Sequence, residues 1–112
     1  MGEQSMTKVF LLFGIDTASL DKANALVELL LRTKLEPRES SFHGGNYFAT
    51  RGADGEQLLV KSNFDRHAGE WSEPQYLHAP FLLYVNATHR AAEIEGAIGN
   101  NAQISLLRRS TV

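Results

Sequence analysis

Two segments of this chain share one pattern, in which a short apolar run precedes a polar hinge and then a helical spacing of apolar residues. The first run is VFLLFGI, residues 9–15, and apolar positions three and four apart follow it between Asp21 and Lys34. The second run is FLLYV, residues 81–85, and a similar spacing follows over residues 89–98. Short runs that are apolar on both sides are typical of strands buried at the centre of a sheet. The pattern therefore predicts two strand–helix units, with both helices on one face of a sheet.

Between the two units the sequence predicts a hairpin and a long connection. Residues 39–51 have the composition of one strand, interrupted by Gly44 and Gly45 at a bulge or a close backbone approach. A turn at residues 52–55 then leads into a strand over residues 57–63. Residues 65–79 follow without a clear period, and connections of that length in compact domains are often functional.

Local signals place the ends of the helices. Asp16, Thr17 and Ser19 are competing caps for the first helix, Thr88 is a candidate cap for the second, and Pro37 prevents the first from continuing. The last strand is predicted over residues 103–108, as an edge strand.

The resulting order, β-α-β-β-β-α-β, predicts an α+β fold. Its arrangement is that of a ferredoxin-like two-layer sandwich, with an antiparallel-rich sheet and two helices on one face. The strands that start at Val9 and Phe81 are then neighbours, with the last strand and the hairpin outside them. Because both strands are apolar on both faces, something must also cover the second face of the sheet. The candidates are residues 65–79 with Trp71 and Tyr76 as a lid, a second subunit, or a partner.

Composition limits the class of protein. At 112 residues the chain is predicted to be a single domain, residues 1–112, with residues 1–7 as a disordered leader. Eleven Lys and Arg stand against thirteen Asp and Glu, a balance that argues against nucleic acid as the partner. Cysteine is absent, and no apolar run approaches the roughly 20 residues that span a bilayer. We therefore expect a cytoplasmic protein that does not act at a membrane.

No catalytic signature is present in the sequence. His43, His67, His78 and His89 lack the spacing of a helical metal site, and neither a nucleophile elbow nor a phosphate loop occurs. The run at residues 81–85 also lacks the Gly and the basic residue of an RNA-recognition motif. The sequence therefore predicts a protein that is not an enzyme and that needs no cofactor or metal.

The segment over residues 63–76 combines three carboxylates with Phe, Trp and Tyr. Aromatic anchors with a charged rim are typical of protein–protein hot spots, although such a loop can equally be solvated, with its aromatics in the core. The candidate partner-binding residues are Tyr47, Asp65, His67, Glu70, Trp71, Glu73 and Tyr76.

The same region resembles small bacterial immunity proteins of contact-dependent inhibition and related polymorphic toxin systems. The resemblance extends over residues 8–107, through the segments ESSFHGGNYF (39–48), GADGE (52–56), NFD (63–65), EWSEP (70–74), FLLYV (81–85) and EIE (93–95). It implies tight binding to one cognate toxin domain, often a nuclease, by covering its active site. Asp65, Glu70 and Glu73 would then lie where the phosphates of a nucleic acid bind in the basic cleft of the toxin.

Other classes of function remain open at this point. Sandwiches of this size also form dimers that enclose a cavity, as in small cofactor-independent monooxygenases, with His43 or His67 as the polar group in the pocket. A regulatory domain that binds a metabolite between subunits is a third possibility. The chain is accordingly expected to be a monomer or a homodimer.

Overall fold

Both predicted strand–helix units are present in the computed structural model, which describes residues 7–40, 45–52 and 54–111. The elements in chain order are β1 (Val9–Ile15), α1 (Leu20–Leu31), β2 (Glu36–Ser40), β3 (Gly45–Arg51), β4 (Gln57–Ser62), β5 (Phe64–Asp65), β6 (Glu70–Trp71), a 3₁₀ helix (Pro74–Tyr76), β7 (Phe81–Thr88), α2 (Ala91–Ile98) and β8 (Ile104–Thr111). His43 and residues 1–6 of the predicted leader lie outside the described residues.

Six strands form one sheet in the order β2-β3-β4-β7-β1-β8, and each neighbouring pair is antiparallel. The short strands β5 and β6 pair separately. The predicted contact between the two apolar strands is confirmed, because β1 pairs with β7, and β8 and the hairpin flank them. The fold is therefore α+β, with two helices and a mostly antiparallel sheet.

The prediction of one strand over residues 39–51 is wrong, because this segment belongs to two strands. β2 ends at Ser40 and β3 begins at Gly45, and these two residues are paired across the antiparallel ladder. Gly45 has a φ of +111°, which favours glycine, so the chain reverses here instead of bulging within one strand. Pro37 lies within β2, at the edge of the sheet, where a missing amide hydrogen is tolerated.

The helix α1 uses one of the three predicted caps and ends earlier than expected. The Ser19 hydroxyl oxygen accepts a hydrogen bond from the Lys22 amide at 3.1 Å. Arg32 has a φ of 54°, and its amide donates to the Glu28 carbonyl, which ends the helix well before Pro37. The Glu28 carboxylate then accepts a bond from the Leu35 amide at 2.8 Å and directs the chain into β2.

Both helices pack on one face of the sheet. One apolar cluster joins α1 and α2 to alternate residues of the central strands, which is the period-two arrangement expected of strands with one face on a helical layer. Its buried members are Val9, Leu11, Phe13, Ile15, Ala23, Val27, Leu35, Leu58, Val60, Leu83, Val85, Ala91, Ile94, Ile98 and Ile104.

The opposite face of the sheet is covered at one end by the connection between β4 and β7. A second cluster forms there, which consists of Leu12, Ala79 and Leu82 with Tyr76, Tyr84 and Leu107 packed around them. The predicted lid is therefore confirmed for Tyr76. It is wrong for Trp71, whose indole lies outside this cluster and remains 37% exposed.

Gly14 of β1 lies close to Ala79 of this connection and to Leu107 of β8. A Cβ at Gly14 would lie 2.9 Å from the Ala79 Cβ and 3.1 Å from the Leu107 Cδ1. We expect Gly14→Ala to lower the free energy of unfolding by about 1–3 kcal/mol through overpacking, measured by urea titration. The matched control is Gly96→Ala in α2, where a Cβ meets nothing within 4 Å. That change is expected to stabilise the protein by about 0.5–1 kcal/mol, and an equal effect of the two substitutions would contradict the close packing.

Candidate functional site

The segment of residues 64–71, which we call the aromatic hairpin, presents two exposed rings. Phe64 and Trp71 are paired across β5 and β6, and their ring centroids lie 5.3 Å apart at an interplanar angle of 70°. This edge-to-face geometry is favourable for aromatic pairs. Phe64 is nevertheless 39% exposed and Trp71 is 37% exposed, so the pair forms part of the outer surface of the protein.

The turn of the aromatic hairpin is fixed by Asp65. Its Oδ1 accepts hydrogen bonds from the amides of His67 at 2.8 Å and Ala68 at 3.1 Å. The Gly69 amide donates to the Asp65 carbonyl, also at 2.8 Å, and Gly69 has a φ of +70°. An aspartate that accepts from amides two residues on, with a glycine at positive φ, is a stable turn arrangement. The conformation that presents the two rings is therefore defined by hydrogen bonds within the hairpin itself.

The two rings and the two hairpin carboxylates lie on opposite sides of the aromatic hairpin. Phe64 pairs with Trp71 and Asp65 pairs with Glu70, and adjacent residues of a strand point to opposite sides. Glu70 is exposed. The hairpin therefore has one aromatic side and one side that carries Asp65 and Glu70.

The aromatic hairpin is attached to the sheet through Asn63, which is completely buried. The Asn63 side chain bonds to the carbonyls of Tyr76 and Ala79 and to the amide of Glu73, and its own backbone carbonyl accepts from Ser72. One residue thus ties the end of β4 to the whole segment that follows the hairpin.

The carboxylate of Glu73 is bound by two side chains of the main sheet. Its carboxylate accepts a hydrogen bond of 2.6 Å from the Tyr84 hydroxyl and pairs with the Arg108 guanidinium at 3.1 Å. Burial raises the pKa of the Glu73 carboxyl, but the hydrogen bonds from Arg108 and Tyr84 outweigh burial and hold that pKa below its ordinary value. The side chain is only 12% exposed, so it offers little surface to a partner.

The structure brings together only some of the candidate residues from the sequence. Asp65, His67, Glu70 and Trp71 lie on the aromatic hairpin, whereas Tyr47 lies in β3. Tyr76 is half-buried against the sheet, and its hydroxyl donates to the Leu107 carbonyl at 3.2 Å. Tyr47 and Tyr76 are therefore separate from the surface that carries Trp71.

A groove runs beside the aromatic hairpin, between it and the ends of β2 and β3. Its volume is about 380 Å³, and it is lined by Leu20, Glu39, Gly45, Asn46, Ser62, Phe64, Arg66 and His67. Phe64 was not among the candidate residues, although it was in the segment that the sequence identified. Its spacing from Trp71, with Asp65 and Gly69 between them, is the signal of a short hairpin that would have identified it.

Within the described ranges, no group of three or more His, Asp or Glu side chains could hold a metal ion. The same part of the chain has no helix long and apolar enough to cross a bilayer. Comparison with family models, with curated proteins and with solved structures gave no match to this chain.

Proposed function

We propose that this protein binds one protein partner through the aromatic hairpin. The observation that carries the proposal is the exposed edge-to-face pair of Phe64 and Trp71 on a turn fixed by Asp65. Large aromatic side chains dominate the energy of protein interfaces. Because the hairpin is already ordered by its own hydrogen bonds, binding requires little further loss of conformational entropy.

The partner in this proposal is a toxin domain, and the protein is an immunity protein that acts in the cytoplasm by covering the active site of the toxin. The resemblance over residues 8–107 supports this more specific proposal, as does the acidic side of the hairpin. Opposite charge speeds encounter with a basic nuclease cleft, whereas buried aromatic anchors slow dissociation. Glu70 carries most of this electrostatic role, since Glu73 is already paired with Arg108.

A ferredoxin-like two-layer sandwich is the finer fold that we propose. The strands β8, β1, β7 and β4 lie side by side in that order, and helices follow β1 and β7. In this description β2 and β3 extend one edge of the sheet. The aromatic hairpin then lies in the connection between two adjacent antiparallel strands, where insertions leave the core unchanged.

The dimeric enzyme that the sequence left open rested on an apolar second face. Leu12 and Leu82 on that face are buried by residues of the same chain, including Tyr76 and Ala79. The described surface therefore gives this alternative no specific support, and we do not propose it.

The proposed interface predicts a large effect of Trp71→Ala on binding. We expect the dissociation constant for the toxin domain encoded beside this protein to rise roughly 30-fold, which corresponds to about 2 kcal/mol, and Phe64→Ala to have a smaller effect in the same direction. The measurement is isothermal titration calorimetry with the purified domains, together with protection of cells that express the toxin. The melting temperature of each variant is measured in parallel, because Trp71 is only 37% exposed and its ring also packs on Phe64.

The control for this prediction is Leu29→Ala, which removes an apolar side chain that is 74% exposed on α1. It should leave the affinity unchanged. The absence of any complex with the neighbouring toxin domain would remove the immunity proposal. A complex that tolerates both Trp71→Ala and Phe64→Ala would instead place the interface elsewhere.

A further inference from the structure

Three cations lie together on the sheet face that points away from the helices. Phe48 and Val60 are opposite each other and face the helical layer, so their neighbours Tyr47 and Lys61 face the other way. Tyr47 is paired with Lys61 on one side and with Arg38 on the other. Because paired residues lie about 5 Å apart, the tyrosine stands between two cations. Arg51 lies on the same strand and the same face as Tyr47.

Arg38, Tyr47 and Arg51 also line a depression in the sheet, and Lys61 lies beside it, opposite Tyr47. Its volume is about 430 Å³, and Arg38, Tyr47, Ala49, Thr50, Arg51 and Gln57 line it. Ala49 lies between Tyr47 and Arg51 along β3, so its small side chain forms a low floor between larger walls. The lining includes two arginines and no carboxylate. We call Arg38, Arg51, Lys61 and this depression the cationic face.

The positive charge of the cationic face is only partly neutralised. Arg38 forms an exposed pair with Glu36 at 3.0 Å. Within the described part of the chain, Arg51 and Lys61 have no hydrogen bond or ion pair through their side chains. Lys61 is only 7% exposed, and its ammonium reaches solvent from a recessed position.

A recessed cation without a partner is unusual, because burial of a charge is unfavourable unless an opposite charge accompanies it. Burial lowers the pKa of the Lys61 ammonium, and the more distant carboxylates of Asp65 and Glu73 raise it by less. An anionic group that enters from solvent would give Lys61 a direct ion pair in addition to these two more distant carboxylates.

We propose that the cationic face is a second protein-binding surface, which takes an extended acidic segment of a partner protein. Lys61 is opposite Tyr47, and Arg51 lies four residues beyond Tyr47 on β3. The positions of Lys61 and Arg51 are therefore about 13 Å apart along the strand direction. Two carboxylates four residues apart in an extended peptide span the same distance. The Tyr47 ring and the alanine floor accommodate the peptide between the two anchor points.

An acidic protein segment fits this surface better than a nucleic acid does. Nucleic acids bind through many phosphates along a continuous basic track, whereas this protein carries a formal charge of -2 and the face has three cations. This surface is separate from the aromatic hairpin, so the inference goes beyond the proposed function.

The test uses a fluorescent peptide of about ten residues that alternates Glu and Ser, which places every carboxylate on one side of an extended chain. Binding to the full protein is followed by anisotropy at low salt and by amide chemical shifts. We expect saturable binding with shifts in β2, β3 and β4, and we expect Arg38→Gln and Arg51→Gln each to weaken binding about fivefold. The control Lys22→Gln removes an exposed cation from α1 and should have no effect.

Several results would overturn the proposal. They are absence of saturable binding, equal binding of a matched peptide that alternates Gln and Ser, indifference to Arg51→Gln, and tighter binding of an oligouridine of the same length. Trp71→Ala should retain peptide binding, so failure of the aromatic hairpin as an interface and failure of the cationic face give different results. Because Arg51 is exposed, its substitution tests the surface without disturbing the core, whereas Lys61→Met needs a parallel thermal melt.

Discussion

Replacement of Asn63 by alanine is expected to lower the free energy of unfolding by about 3 kcal/mol or more. The side-chain Nδ2 of Asn63 donates to the Tyr76 carbonyl at 3.0 Å and to the Ala79 carbonyl at 2.9 Å. The side-chain Oδ1 of Asn63 accepts from the Glu73 backbone amide at 2.9 Å. Alanine removes all three bonds, and it leaves the Ala79 carbonyl without this partner in a buried position, whereas the Tyr76 carbonyl retains the bond from the Ala79 amide. Each unsatisfied buried group costs about 1–3 kcal/mol.

Urea unfolding followed by circular dichroism measures this effect. Asn100→Ala is the control, because Asn100 is exposed and makes no such bonds, and it should change the free energy by less than about 0.5 kcal/mol. Asn63→Asp retains the acceptor for Glu73 but turns a carboxylate oxygen toward two carbonyl oxygens, so it should destabilise the protein at least as much as Asn63→Ala. A loss below about 1 kcal/mol for Asn63→Ala would show that the segment after the aromatic hairpin is held by other contacts.

A second large effect is expected at the ion pair of Glu56 and Arg90, which joins the β3–β4 loop to the start of α2. The Arg90 Nε and Nη2 donate to the two carboxylate oxygens of Glu56 at 2.9 and 2.8 Å, and the Thr88 hydroxyl donates to Glu56 at 2.6 Å. Arg90→Ala leaves the Glu56 carboxylate buried without its cation. We expect a loss of about 3 kcal/mol in the free energy of unfolding.

The control is the exposed pair of Arg38 and Glu36, in which a single bond of 3.0 Å joins Arg38 Nη2 to one carboxylate oxygen of Glu36. Glu36→Gln should change stability by less than about 0.5 kcal/mol, because exposed pairs contribute little. Glu56→Gln should be milder than Arg90→Ala, since the Arg90 side chain is 39% exposed and can regain water. Equal effects at the buried and exposed pairs would contradict this account.

The same pair gives stability a defined dependence on pH. The side-chain hydrogen bonds from Arg90 lower the pKa of Glu56 and outweigh the effect of burial, which raises it, and the Thr88 hydroxyl adds to the lowering. A carboxyl with a lower pKa in the folded state than in the unfolded state binds fewer protons when folded. Its stabilisation is therefore complete above the unfolded value of 4.5 and is lost as the pH falls through the lower folded value. Urea titrations at pH 7 and below pH 4.5 measure how far the free energy of unfolding falls on acidification. This fall should be smaller for Arg90→Ala than for the wild type.

The apolar runs determined most of what the sequence could predict about the fold. β1 and β7 are apolar on both sides, and both are central strands of the sheet. The start of α2 was not predictable in the same way. Thr88 is not the N-cap residue, which is Arg90, a residue whose charge opposes the helix dipole. The position of Arg90 is explained by its ion pair with Glu56. Glu56 is 34 residues away in the sequence, so no pattern near α2 indicates this pair.

The candidate site residues also differ in whether local sequence or distant contacts determine their positions. Trp71 and Asp65 belong to one short hairpin, so local sequence was enough to bring them together. Glu73 and Tyr76 are held instead by Arg108 and by the Leu107 carbonyl, in a strand at the other end of the sheet. Composition alone does not distinguish a carboxylate that a distant arginine neutralises from one that is available to a partner.

The central position of β1 also affects how the protein folds. Its two neighbours in the sheet, β7 and β8, come from the last third of the chain. The pairing of β1 therefore depends on contacts that are distant in sequence, and such contacts form slowly. Until they arrive, the uncharged segment VFLLFGI has both edges unpaired. Segments of that kind assemble readily with copies of themselves. Aggregation during refolding at high protein concentration should therefore begin at β1, while the hairpin of β3 and β4 is already formed.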